Sequence, residues 1–105
     1  MIISVEDLAE KLKTLSFPVA YGFFKDKQQP PFAVYYRNDS DNIGADNISY
    51  VKRENYIIEF YSKNRDLTKE KEIEDLLTEC GLFFDVDETY IQEEAIREVI
   101  YQFQI

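Results

Sequence analysis

The chain has 105 residues, 45% of them hydrophobic and 15% aromatic, with a formal net charge of -9. That is one domain's length, too apolar for a disordered chain and long enough to bury a core without metal or disulfide help. Twelve basic against 21 acidic side chains disfavour stable binding to nucleic acid or to an anionic membrane, and a single cysteine excludes an internal disulfide.

The first element reads as a helix over 4–15. Ser4 and Asp7 have the spacing of a capping box, Val5, Leu8, Leu12 and Leu15 recur at helical intervals, and Pro18 closes the segment. This opening carries acids early and has no long apolar core, so it does not read as a signal peptide, and a cytosolic setting is expected. VAYGFF, 19–24, is a short apolar strand. KDKQQPP is a polar loop. FAVYYR, 32–37, combines β-branched and aromatic residues and reads as a second strand.

DSDNIGADN follows, with Asp39, Asp41, Asn42, Ile43, Gly44, Asp46 and Asn47 in one short run. A calcium loop of the EF-hand kind needs glycine at its sixth position, an oxygen ligand at its fifth and a bidentate acid at its twelfth. Counting from Asp39, Gly44 fits the sixth place, but Ile43 occupies the fifth and Tyr50 the twelfth. The stretch is therefore expected to be a solvated connector, with no metal.

YVKRENYIIEFYS, 50–62, is the longest strand candidate. Tyr56, Ile58 and Phe60 share one face, and Asn55, Ile57, Glu59 and Tyr61 share the other. Both faces are partly apolar, which suits a central strand covered on both sides, or a sheet with a helix on one face and a neighbouring subunit on the other. A second helix is predicted over 67–80, capped by Asp66 or Thr68 and ended by Gly81, with Ile73, Leu76, Leu77 and Cys80 on its apolar face. Lys69, Glu70, Lys71, Glu72, Glu74, Asp75 and Glu79 form its expected solvated stripe. LFFDV predicts a short strand over 83–86. Val99, Tyr101, Phe103 and Ile105 alternate strictly and predict a closing strand over 95–104.

The expected fold is one α+β domain spanning residues 1–105, a mostly antiparallel five-stranded sheet with two helices on one face, in the order α-β-β-β-α-β-β. Val5, Leu8, Leu12, Tyr56, Ile58, Phe60, Ile73, Leu76, Leu77, Val99 and Tyr101 are expected to be buried.

Catalytic signals are sparse. The chain has no histidine, and its three glycines are isolated, so no phosphate-cradling loop can be drawn. Cys80 reads as a buried thiol. Asp85, Asp87, Glu88, Glu93, Glu94 and Glu98 read as solvated acids in a turn and at the polar positions of a strand. No catalytic residue and no cofactor are assigned. Tyr21, Phe23, Phe24, Tyr35, Tyr36, Tyr56, Phe60 and Tyr61 exceed what a small core usually holds, which points to a sheet face that meets another protein.

PVAYGFF, PPFAVYYRNDSDNIGADN and EFYSKNRDLTKEKEIEDLL, in this order and with the closing alternating strand, resemble the small tail terminator or tail completion proteins of long-tailed phages and prophages of Gram-positive bacteria. The resemblance implies structural work in the virion. The chain would form a ring, commonly six-fold, at the head-proximal end of the tail tube, ending tube polymerisation and allowing head joining. It would be monomeric when free. Its partners would be itself, the tail tube protein and a head-completion or connector protein, first in the host cytoplasm and then in the virion tail. The 39–47 stretch would be a contact loop towards a neighbour or the tube. Two other classes remain: a small acidic host adaptor or inhibitor that mimics a nucleic acid, and an enzyme with an unrecognised carboxylate site.

Overall fold

A computed structural model describes residues 3–38 and 54–105, so the 39–47 stretch and the 50–53 end of the third predicted strand lie outside the described residues. Helix α1 (Val5–Leu12) leads into strands β1 (Val19–Tyr21), β2 (Phe32–Arg37) and β3 (Asn55–Ser62). Helix α2 (Leu67–Glu79) follows, and β4 (Phe84–Ile91) and β5 (Ile96–Gln104) close the chain. The five strands form one sheet in the order β1-β2-β3-β5-β4. Every pairing is antiparallel except β1 with β2, which run parallel with Val19 opposite Ala33 and Tyr21 opposite Tyr35. The predicted α+β order and the mostly antiparallel sheet are what the structure has.

Both helices are set by their ends. The Ser4 hydroxyl accepts from the Asp7 amide at 3.1 Å, and the Asp66 carboxylate accepts from the Lys69 amide at 3.1 Å. Gly81 takes φ 75 at the end of α2, where Leu82 N donates to Leu77 O and Gly81 N to Thr78 O. Those two bonds form a Schellman stop, which needs a residue free of Cβ strain. Helix α1 ends at Leu12 rather than at 15. The chain tightens there into three-residue turns, with Thr14 N and Thr14 Oγ1 both bonding back to Lys11 O.

Leu8 and Leu12 from α1, and Ile73, Leu76, Leu77 and Cys80 from α2, pack on Ala33, Tyr56, Ile58, Phe60, Val99, Tyr101 and Phe103 of the sheet. The registers explain the set. Tyr56, Ile58 and Phe60 stand opposite Phe103, Tyr101 and Val99, so their side chains project to one face. Phe17 closes the end of this core against Phe60, with ring centroids 4.9 Å apart. Val5, expected in the core, is only partly buried and packs at its margin.

Three other expectations are corrected. Strand β1 stops at Tyr21, because Gly22 turns at φ 77 and Phe23 N folds back onto Tyr21 O. Strand β4 runs to Ile91 instead of stopping at 86, and it is mostly exposed. Its DVDETY core is too polar to register as a strand, but pairing with β5 supplies the backbone bonds, so Asp85, Asp87 and Glu88 lie on a strand rather than in a turn. The stripe of α2 is not uniformly solvated. Glu70 is buried, with 7% exposure. Glu72 accepts from Ser16 N at 3.0 Å and Ser16 Oγ at 2.6 Å, and Glu74 accepts from the buried Tyr101 hydroxyl at 3.2 Å.

These contacts order the expected mutant stabilities. Leu77→Ala empties a fully buried site and should cost about 2 to 5 kcal/mol. Glu72→Ala loses the tie between α2 and the turn after α1 and should cost about 1 kcal/mol. An exposed stripe position such as Glu79→Ala should stay within about 0.5 kcal/mol. Denaturant melts of the three variants check the ranking.

Candidate interaction surface

The helices cover one face of the sheet. The other face is built by register from Phe32, Val34 and Tyr36 of β2, Ile57, Glu59 and Tyr61 of β3, and Glu98, Ile100 and Gln102 of β5, with Asp85 and Asp87 of β4 beyond them. Among the described residues of the paired strands, no lysine or arginine shares this face. Val34, Ile57 and Ile96 are buried there, outside the helix-side core.

Four side chains on this face form a continuous network. Tyr36 donates to Glu59 Oε2 at 2.7 Å. The Tyr61 hydroxyl lies 2.9 Å from both Glu59 Oε1 and Glu98 Oε2, so its one proton serves one carboxylate at a time. Burial, then hydrogen bonding to Glu59, pushes the Tyr36 hydroxyl up to about 12, and the same kind of surroundings raise Tyr61 further. Both phenols therefore remain donors at neutral pH.

Glu98 is held above the ordinary carboxylate value. Burial is the main cause. Tyr61 lowers it, while Glu59 raises it through charge repulsion and through a hydrogen bond that needs a proton on one of the two carboxyls. The aromatic surplus thus divides. Tyr56 and Phe60 belong to the core, Tyr36 and Tyr61 hold carboxylates on the face away from the helices, and Tyr21 and Phe23 are exposed.

Sequence reading placed Glu98 among solvated acids and gave Glu59 no role. The available signal was Glu59 itself, a charge in the middle of the most apolar strand, which calls for a polar partner. Cys80 is buried as expected, and burial raises its thiol. Among the described residues no group of three His, Cys, Asp or Glu side chains is placed to hold a metal ion, and no helix is long and apolar enough to cross a membrane. The expected contact loop, Asp39 to Asn47, lies outside the described residues, so its relation to this face is not part of the geometry.

No protein-family model and no curated protein matches the sequence. Among solved structures, a chain from the virion of a native gene transfer agent particle is similar in fold. It has a TM-score of 0.53 and 13% identity, over 92% of this chain and 81% of that one. At that identity the likeness is one of fold.

A carboxyl held above its ordinary value takes up a proton on folding, so it adds stability as pH falls through the interval between 4.5 and its raised folded value. Above that interval Glu98 is ionised in both states and its charge opposes folding. Glu98→Gln keeps an acceptor for Tyr61 and a donor for Glu59 but removes the titration. The stability gained on acidifying from neutral pH to about 4.5 should be smaller in Glu98→Gln than in the wild type, as read from denaturant melts across that range. Equal gains would show that Glu98 does not titrate as described.

Proposed function

We propose that this chain is a structural protein of a phage or phage-like virion, and specifically that it caps the head-proximal end of a tail tube as a ring. The observation that carries the reading is the shared fold with a virion chain across 92% of this sequence. The family-like order of PVAYGFF, PPFAVYYRNDSDNIGADN and EFYSKNRDLTKEKEIEDLL supports the finer assignment. In this reading the chain ends tube polymerisation and presents a surface for head joining. Its partners are further copies of itself, the tube protein and a head-completion or connector protein.

The chemistry is consistent with structural work. The sheet face away from the helices carries carboxylates held by tyrosines, and the sheet edges carry exposed apolar side chains. A net charge of -9 per copy would let DNA pass a ring without adhering to it. The Asp39, Asp41, Asn42, Ile43, Gly44, Asp46 and Asn47 stretch is proposed as the loop that meets a neighbour or the tube, since polar glycine-containing loops carry contacts more often than chemistry.

The test is electron microscopy of lysates. Deleting the gene should give tails of irregular length and few joined virions. Removing residues 41–46 should leave the fold intact and produce the same defect more weakly. Uniform tails joined at the normal frequency in the gene deletion would remove the function. Normal tails in the loop deletion alone would remove only the loop from the contact.

A further inference from the structure

The two edges of the sheet differ in charge. Residues 19–37, which include β1 and β2, carry three basic side chains and one acidic one, although the whole chain stands at -9. Residues 83–94, which include β4, carry five acidic side chains and no basic one. These segments lie at opposite ends of the strand order. Within them, Lys25 and Lys27 are exposed and have no ion-pair partner among the described residues, and neither do Asp85 and Asp87. Only Glu88 of β4 is paired, to Arg97.

The same two edges carry the exposed apolar surface. Among the described residues the large apolar side chains left exposed are Phe83 at 95%, Phe23 at 74%, Leu67 at 60%, Tyr21 at 55%, Tyr90 at 52% and Val86 at 48%. All but Leu67 belong to the β1 edge or the β4 edge. By register Val86 and Tyr90 project to the helix side of the sheet, and Tyr21 does too, so these three open on the same face.

We propose that copies of this chain dock side by side, the acidic β4 edge of one against the β1 edge and the 22–31 loop of the next. The partner is a second copy, and the contact is heterologous: a different patch on each side, repeated from copy to copy. Charge selects this arrangement. A symmetric contact would set Asp85 and Asp87 against Asp85 and Asp87, and like charges across an interface are strongly disfavoured. An edge merely protected from pairing would need the acids, but not Phe83, Val86 and Tyr90 beside them, nor an opposite edge of the other sign. Docking would bring Val86 and Tyr90 at the margin of β4 alongside Tyr21 at the margin of the neighbour's β1. This inference rests on the ring reading only for closure, since the pairwise contact is read from the two edges themselves.

Cross-linking of the full chain tests it. Gln29→Cys places a thiol on the 22–31 loop and Thr89→Cys places one on β4, both without changing charge, while Cys80 stays buried. With a short bis-maleimide, a mixture of the two variants should form a dimer that neither forms alone. The double variant should form a ladder. Asp85→Lys with Asp87→Lys in the Thr89→Cys chain should lower the yield about tenfold against a Gln29→Cys partner. Lys25→Glu with Lys27→Glu in that partner should restore it. Unchanged melting curves of the reversed chains show that they fold, and Asp85→Asn with Asp87→Asn gives a milder version of the same drop. Equal cross-linking of Thr89→Cys with itself, no cross-link in the mixture, or a yield indifferent to both reversals would overturn the docking. Tail length in the gene-deleted lysate reads the cap function separately, so either reading can fail while the other stands.

Discussion

The pairing of β3 with β5 is the constraint on which the rest of the molecule depends. It runs from Asn55 opposite Gln104 to Ser62 opposite Arg97 without a bulge. Because side chains alternate across a strand, this single register decides what both faces of the sheet contain. It sends Tyr56, Ile58 and Phe60 with Phe103, Tyr101 and Val99 beneath the helices. A slip of one residue would turn Asn55, Glu59 and Tyr61 into that apolar core and expose the residues that now fill it. The helices are placed by the same choice, since Leu8, Leu12, Ile73 and Leu77 are fully or almost fully buried only against this face.

The register also creates the network on the other face. Glu59 lies in the middle of β3, where an isolated charge would be costly; β2 brings the Tyr36 hydroxyl to it, and Tyr61, two residues on along β3, brings another. Glu98 arrives from β5 because it stands opposite Tyr61. The result is a polar cluster amid Phe32, Val34, Ile57 and Ile100, with tyrosine rings providing apolar cover and hydroxyls providing donors. Such a surface discriminates between partners. A group that docks over it without polar atoms would strand Glu59 and Glu98, whereas one that offers donors would complete them.

How much of this was legible in the sequence follows from the range of each signal. The second helix was readable because its start, its apolar period and its stop all lie within a few residues: Asp66, then Ile73, Leu76, Leu77 and Cys80, then Gly81. Strand β5 was readable because Val99, Tyr101 and Phe103 alternate. Polar strand β4 was read short because its stability comes from pairing with β5 and not from its own hydropathy. The roles of Glu72 and Glu74 were hidden because their partners, Ser16 and Tyr101, come from other parts of the chain. The parallel setting of β1 also escaped the pattern, since three residues carry no directional signal. For the surface, the aromatic excess was visible, but its division among core, network and edge required the register.

The edges show why polarity alone is a poor guide to an element's role. In β4, Asp85 and Asp87 face one way while Val86 and Tyr90 face the other, so the strand is amphipathic although nothing among the described residues covers the apolar side. A helix or strand from the same chain normally takes such a side. Here α2 packs over Tyr101 and leaves Val86, the residue paired beside it, half exposed. The sheet is therefore one strand wider than the helical layer that protects it. At the opposite margin Tyr21 is likewise exposed, although Tyr35 packs edge-on against it at 5.1 Å. A sheet that overhangs its helices at both margins on the same face, with opposite charge at the two margins, is built unlike a protein that ends at its own surface. Each margin lacks what the other carries, and a repeated side-by-side arrangement supplies both deficits with one contact.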